Sequence, residues 1–127
     1  MKRVLIDTCA WIDFFKSQTG DLGNQVAELI ETNRAAITGV VIAELLQGVK
    51  LEKEGQRLRL LFRSIHYLPT EDNDWFIAGQ LAQQLRAKGL TLPLTDVLIA
   101  VIAQRHTMPV LTLDKHFQHL PVDGFEK

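Results

Sequence analysis

Short apolar runs alternate along the chain with longer segments in which apolar residues recur every three or four positions. The runs predict β-strands and the periodic segments predict helices. The predicted strands cover residues 3–6, 35–38, 65–68 and 109–112, with a weak last strand near Val122. The predicted helices cover residues 9–16, 22–32, 40–47, 50–64, 74–88 and from 95 or 96 to about 104–106, with a turn or short helix at 115–120.

Regular alternation of the two element types predicts an α/β fold with a central, mostly parallel sheet of four to five strands flanked by helices. The 127 residues suit one domain, residues 1–127, with one core. Segment 40–47 is apolar nearly all round, which predicts a buried helix. In segment 74–88 we expect Phe76, Ile77, Leu81 and Leu85 to face inward.

Four carboxylates lie beside or within short apolar runs at comparable places. Asp7 and Asp114 come directly after predicted strands, Asp96 begins a helix, and Glu44 lies one turn into a helix that follows a strand. In open α/β sheets ligands bind beyond the carboxyl ends of the strands, so these acids are expected at one edge. Converging carboxylates repel one another and call for a cation. A hard divalent metal and phosphodiester cleavage are the simplest cation and chemistry that fit.

Each acid also has a structural interpretation when it is taken alone. Asp7 could cap the helix at 9–16, and Asp96 could be a first-turn acid near the positive end of its helix. Glu44 could face solvent, and Asp114 could be a turn residue. The functional interpretation therefore depends on whether the four acids meet.

Composition leaves the class of partner open. Apolar residues make up 46% of the chain and charged residues 23%, which argues against disorder. The net charge of −1 neither supports nor excludes RNA as a partner, so local patches must decide. Around residues 50–63 five basic side chains would form either an exposed helix face or a set of phosphate contacts. They are Lys50, Lys53, Arg57, Arg59 and Arg63.

The sequence also indicates a compartment. No apolar run approaches the ~20 residues needed to span a bilayer, and the N-terminus does not resemble a secretory signal. The single cysteine, Cys9, excludes an internal disulfide and fits a reducing cytoplasm. We therefore expect a cytoplasmic protein without a membrane partner, and Cys9 is expected to be a small packing residue.

Other chemistries have weaker support. His116 and His119 are three residues apart, but no cysteine or second histidine pair completes a zinc site. These histidines could serve as acid and base in a metal-independent ribonuclease. A non-cleaving module that binds RNA or protein is a further alternative, although a cluster of negative charge would not help it bind a polyanion.

Four short motifs, in this order and at these intervals, resemble the PIN-domain ribonucleases, specifically the VapC-type toxins of toxin–antitoxin pairs. The motifs are Leu5-Ile6-Asp7-Thr8 with Trp11-Ile12, Ala43-Glu44-Leu45 with Gly48, Asp96-Val97-Leu98-Ile99-Ala100, and Leu111-Thr112-Leu113-Asp114 with Phe117. The resemblance covers nearly the whole chain. It implies a PIN-like three-layer fold and a Mg²⁺- or Mn²⁺-dependent endoribonuclease, with transfer RNA as a reasonable substrate.

The resemblance also assigns roles. It implies that Asp7, Glu44, Asp96 and Asp114 are the catalytic, metal-binding acids and that the hydroxyls of Thr8 and Thr112 support them. It further implies a homodimer and inhibition by a small antitoxin whose C-terminal tail lies across the active site.

Two positions depart from the family pattern. Cys9 stands where the family usually has Asn or Ser, which removes one polar contact. His116 stands where many members carry another Asp, which leaves the last motif with one acid.

Overall fold

The computed structural model describes residues 2–16 and 20–125, so both ends of the predicted domain 1–127 lie outside the described residues. Its strands are β1 (Val4–Ile6), β2 (Ala35–Thr38), β3 (His66–Leu68) and β4 (Val110–Leu111). Its helices are α1 (Thr8–Lys16), α2 (Asp21–Glu31), α3 (Gly39–Gln47), α4 (Glu52–Phe62), α5 (Asp72–Ala87) and α6 (Leu94–Arg105), followed by a 3₁₀ helix at Lys115–His119. The predicted alternation of strands and helices is confirmed.

The four strands form one parallel sheet in the order β3-β2-β1-β4. All three residues of β1 are fully buried, as expected for a parallel strand that is covered on both faces. In place of the predicted last strand, a single parallel bridge joins Val110 to Gly124. The parallel arrangement brings the carboxyl ends of β1, β2 and β4 to the same edge.

Helix α6 is the most deeply buried helix of the fold. Every residue from Asp96 to Ala103 is buried, so the helix contacts the core on all sides. Helix α5 packs against α6, and α1 packs against α2. Among the described residues, no helix combines the length and apolar character needed to cross a bilayer.

Two expectations about helix faces were wrong. In α3 only Val41 and Leu45 are buried, so this helix is not buried all round. In α5 the side chain of Phe76 is 77% exposed and that of Ile77 is 40% exposed. The buried stripe of α5 instead contains Asp74, Ala78 and Leu85, at helical spacing.

Asp74 is buried because α6 supplies a partner for its charge. The Arg105 guanidinium donates to both carboxylate oxygens of Asp74, at 3.0 Å each, and to the carbonyl oxygen of Pro69 at 2.8 Å. The backbone N–H of Glu71 also donates to Asp74 Oδ2, at 2.8 Å. Burial alone would raise the pKa of Asp74, but the hydrogen bonds from Arg105 and Glu71 and the charge of Arg105 hold it below the usual value.

We expect Asp74→Ala to lower the free energy of unfolding by about 1–3 kcal/mol, because the change leaves donors of Arg105 and Glu71 without their acceptor. Since the folded-state pKa is lowered, the contribution of Asp74 is complete above the ordinary pKa of Asp and is lost as pH falls through the lowered value. Urea unfolding at pH 7 and pH 3 measures both effects. Asp72→Ala, on the same first turn but exposed, is the control, and an equal loss in the two variants would contradict the assignment.

Candidate metal centre

The four predicted acids lie at the carboxyl edge of the sheet or on the elements that start there. Asp7 follows β1 directly, and Asp114 follows β4 and is the N-cap of the 3₁₀ helix. Glu44 lies in α3, which begins immediately after β2, and Asp96 is in the first turn of α6. The parallel order of β2, β1 and β4 is what collects these segments at one edge.

The tightest group at this edge consists of Asp96, Asp114 and His116. One ligand atom from each of the three lies within 4.8 Å of the others. His116 Nδ1 is 2.8 Å from Asp96 Oδ2 and 3.0 Å from Asp114 Oδ1. The backbone N–H of His116 also donates to Asp114 Oδ1, at 2.9 Å, so Asp114 caps the 3₁₀ helix as well as facing the cluster.

The electrostatics of Asp96 show that negative charge is concentrated here. Burial raises the pKa of Asp96, and the nearby charges of Asp114 and Asp7 raise it further. The hydrogen bond from His116 acts in the opposite direction but does not cancel these effects. The same hydrogen bond is the main reason why the pKa of His116 lies above its ordinary value.

Asp7 is held by neighbours in α1 and in the segment that follows β4. It is 4% exposed, and its Oδ2 accepts a hydrogen bond from Thr112 Oγ1 at 2.8 Å. Thr112 Oγ1 in turn accepts from the backbone N–H of Asp114 at 2.9 Å, so one hydroxyl orients both acid-bearing segments. The carboxylate of Asp7 accepts this hydrogen bond from Thr112, so helix capping alone does not account for Asp7.

Cys9 contacts this network instead of serving only as a packing residue, which corrects the expectation from the sequence. Its Sγ lies 3.5 Å from Asp7 Oδ2 and 3.4 Å from Thr112 Oγ1. Burial raises the pKa of the Cys9 thiol, and the charge of Asp7 adds to the effect. Cys9 is therefore a neutral, weakly polar neighbour of Asp7.

Glu44 is connected to the edge through α1. Thr8 Oγ1 donates to Glu44 Oε1 at 2.7 Å, and Thr8 directly follows Asp7 in the chain. Glu44 also borders a groove of about 700 Å³ whose apolar lining includes Ile12, Phe15 and Leu58. The solvent-facing interpretation of Glu44 is thus only partly right, because its carboxylate is both accessible and oriented.

The structure brings Asp96 and Asp114 into one group and connects Asp7 to it through Thr112. Within the described part of the chain, Asp7 and Glu44 do not belong to the tight group itself. His116 belongs to it, a place that the sequence analysis does not predict for this residue. The signal that could have found His116 is its place two residues after Asp114, at the start of a short helix.

The donor set fits a divalent cation. Carboxylate oxygens predominate, one imidazole nitrogen accompanies them, and Asp96 carries the raised pKa of an acid crowded by like charges. A cation at this position would relieve that repulsion. The assignment of Asp7, Glu44, Asp96 and Asp114 as ligands of such a cation stays a prediction.

Comparison with known proteins identifies the family. A profile described as "PIN domain" matches residues 4–123. The chain belongs to the PIN-domain family. This PIN domain is 31% identical over 104 residues to the ribonuclease VapC5 of Mycobacterium tuberculosis, covering 77% of each chain. It is 28% identical over 118 residues to a VapC ribonuclease of Mycobacterium bovis, covering 90% of this chain and 88% of the relative.

A solved structure agrees on the fold. The crystal structure of VapBC2 from Rickettsia felis, bound to a DNA fragment from their promoter, matches with a TM-score of 0.78 at 22% identity. The match covers 97% of this chain and 98% of that one. The predicted VapC-type resemblance and the PIN-like three-layer α/β fold are therefore confirmed.

We expect Thr112→Val to weaken divalent-metal binding about tenfold, because Asp7 loses the donor that orients it. Isothermal titration with Mn²⁺ measures the change. Thr112→Ser keeps the hydroxyl and should retain the affinity. Equal affinities for the Val variant and the original protein would exclude the orienting role.

Proposed function

We propose that this PIN domain is a metal-dependent endoribonuclease and the toxin component of a toxin–antitoxin pair. The observation that carries the proposal is the acidic group at the carboxyl edge of the sheet, with Asp7 joined to it through Thr112. Relatives of this chain are named as VapC ribonucleases, which supports the same activity. A charged cluster of this kind is costly to hold unless it binds a cation that the activity needs.

In this proposal Asp7, Glu44, Asp96 and Asp114 hold the ion, Mg²⁺ or Mn²⁺. When bound, such an ion polarises a phosphodiester and lowers the pKa of a bound water. Thr112 keeps Asp7 in place, and Thr8 does the same for Glu44. Asp114, the more exposed of the acids that follow a strand, orients the attacking water. In-line attack leaves a 5′-phosphate and a 3′-hydroxyl.

Basic residues of α4 and its flanks would contact the RNA backbone. All five basic side chains noted in the sequence are exposed. Of these five, Arg57 lines the same groove as Glu44, and Lys16 of α1 lines that groove too. Transfer RNA is the substrate we propose, with discrimination through loop shape and unstacked bases.

We expect purified protein to cleave RNA with Mg²⁺ or Mn²⁺ and not with EDTA, and Asp7→Asn to lower the rate at least about a hundredfold while the fold is kept. Gel analysis of total RNA and a thermal melt measure the two properties. Asp123→Asn, an exposed acid beside the amino end of β4, is the control and should cleave normally.

The cut ends separate this mechanism from a histidine-dependent one. A 2′,3′-cyclic phosphate that forms equally well in EDTA would refute the metal-dependent proposal and favour attack by the RNA's own 2′-hydroxyl. Binding of RNA without any cleavage, under all metal conditions, would favour the non-cleaving module.

We also propose that a small antitoxin inhibits the enzyme by laying its C-terminal tail along the groove beside Glu44. Ile12 and Phe15 are 40% and 44% exposed and offer an apolar surface that such a tail would cover. Several solved structural neighbours are described as VapBC or toxin–antitoxin complexes, which supports a partner of this kind. The proposed setting is the cytoplasm, where the RNA substrate is.

A homodimer is part of the same proposal. Helix α5 exposes three apolar residues, Trp75, Phe76 and Ile77, by 55%, 77% and 40%. Extensive exposed apolar surface is typical of protein interfaces. The start of α5 contacts the end of α6 through Asp74 and Arg105, whereas Asp96 lies at the start of α6. A second copy of the chain would therefore cover these residues away from Asp96.

We expect Ile12→Asp to reduce inhibition by the cognate antitoxin at least about tenfold without lowering RNA cleavage, because a charge is placed in an apolar contact. The antitoxin to use is the short protein that the proposal expects in the neighbouring reading frame. Leu60→Asp, on the exposed side of α4 and outside the groove lining, is the matched control. If inhibition of the Ile12 variant is unchanged, the groove is not the docking site.

A further inference from the structure

His116 is exposed enough that packing does not explain the direction of its ring. Its side chain is 42% exposed, yet Nδ1 approaches both Asp96 Oδ2 and Asp114 Oδ1. The imidazole is thus directed into the acidic group and not along the protein surface. His116 lies where the ion of the proposed function would bind, so the inference below rests on that function.

We propose that His116 Nδ1 is a direct ligand of the ion, together with Asp96 and Asp114, and that it makes the site prefer Mn²⁺ over Mg²⁺. An imidazole nitrogen then joins the carboxylates of the proposed function, so the ligand set of this chain is not all-oxygen.

The distances suit ligands of one octahedral ion. Two ligand atoms at right angles about an ion, each about 2.1 Å from it, lie about 3.0 Å apart. The two distances from Nδ1, 2.8 Å to Asp96 and 3.0 Å to Asp114, are close to that separation. Because all three ligand atoms lie within 4.8 Å of one another, one ion can contact them after small side-chain adjustments.

The backbone holds His116 in this position. Its N–H donates to Asp114 Oδ1 at 2.9 Å, the same oxygen that Nδ1 approaches. Asp114 is the N-cap of the 3₁₀ helix, so this one hydrogen bond fixes both the start of the helix and the backbone position of His116. The ring is pre-positioned before any ion arrives, which favours binding.

The nitrogen donor decides the choice of metal. Mg²⁺ prefers oxygen ligands and gives up its water reluctantly. Imidazole binds first-row transition ions more readily than it binds Mg²⁺. Exchanging one carboxylate for imidazole also removes a negative charge, which Mg²⁺ relies on more than Mn²⁺ does. The set found here therefore favours Mn²⁺.

Electron spin echo spectroscopy of the Mn²⁺-loaded protein tests the contact directly, because a coordinated imidazole nitrogen modulates the Mn²⁺ signal. We expect nitrogen modulation in the original protein, a changed frequency when histidine is labelled with ¹⁵N, and no modulation in His116→Asp. His119→Gln, three residues along the same 3₁₀ helix, should keep the modulation. Calorimetric titration with each ion should show that His116→Asp lowers the ratio of Mn²⁺ to Mg²⁺ affinity about tenfold.

The outcomes separate this inference from the proposed function. Mn²⁺ binding and metal-dependent RNA cleavage without nitrogen modulation would overturn the role of His116 and leave the nuclease intact. Nitrogen modulation that persists in His116→Asp would also overturn it, since another histidine would be the ligand. Failure of the original protein to bind Mn²⁺ or Mg²⁺, with cleavage absent or unaffected by EDTA, would overturn both.

Discussion

Concentrated negative charge at the end of a buried strand is the constraint on which the rest of this structure depends. Asp7 and Asp96 are both buried, and each lies close enough to other acids for their charges to matter. Such a group destabilises the fold unless hydrogen bonds or a cation compensate it. Thr112 and His116 supply part of this compensation within the chain. The geometry of the edge is thus set by electrostatics as much as by packing.

Two of the buried carboxylates, Asp74 and Asp96, have opposite electrostatic surroundings. Asp74 has a permanent cationic partner in Arg105, and its pKa is lowered. Asp96 has a histidine and further acids around it, and its pKa is raised. The charge of Asp74 is neutralised within the chain by Arg105, whereas a bound cation would further stabilise the charge of Asp96. This contrast distinguishes a structural ion pair from a binding site without reference to any relative.

The order of elements could be predicted because strands and helices have different apolar periods, and because glycine and proline separate them. The inward face of α5 could not be predicted by the same rule. Its buried stripe includes Asp74, which a hydrophobic pattern excludes, so the neighbouring apolar residues Phe76 and Ile77 were expected inside and are exposed. The pairing of Asp74 with Arg105 spans 31 residues and leaves no local signal.

Asp7, Asp114 and Glu44 could be proposed from the sequence because each lies soon after a strand or in the helix that follows one. Asp96 could be proposed because it begins an apolar helix. The direction of the His116 ring could not be predicted from the sequence, because it depends on a short 3₁₀ helix whose first turn is capped by Asp114. Likewise, nothing in the sequence says that Cys9 lies against Asp7 and Thr112, because those contacts require β4 to pair with β1.

The burial of α6 has a consequence for how such a protein is controlled. Asp96 begins a run of eight consecutive buried residues, and the central strand β1 leads directly into Asp7. Segments this deep in a core open only when the whole domain unfolds. Local opening of low free energy therefore does not remove Asp7 or Asp96 from the edge. For the proposed nuclease, restraint would then come from a molecule that covers the edge or from removal of the chain.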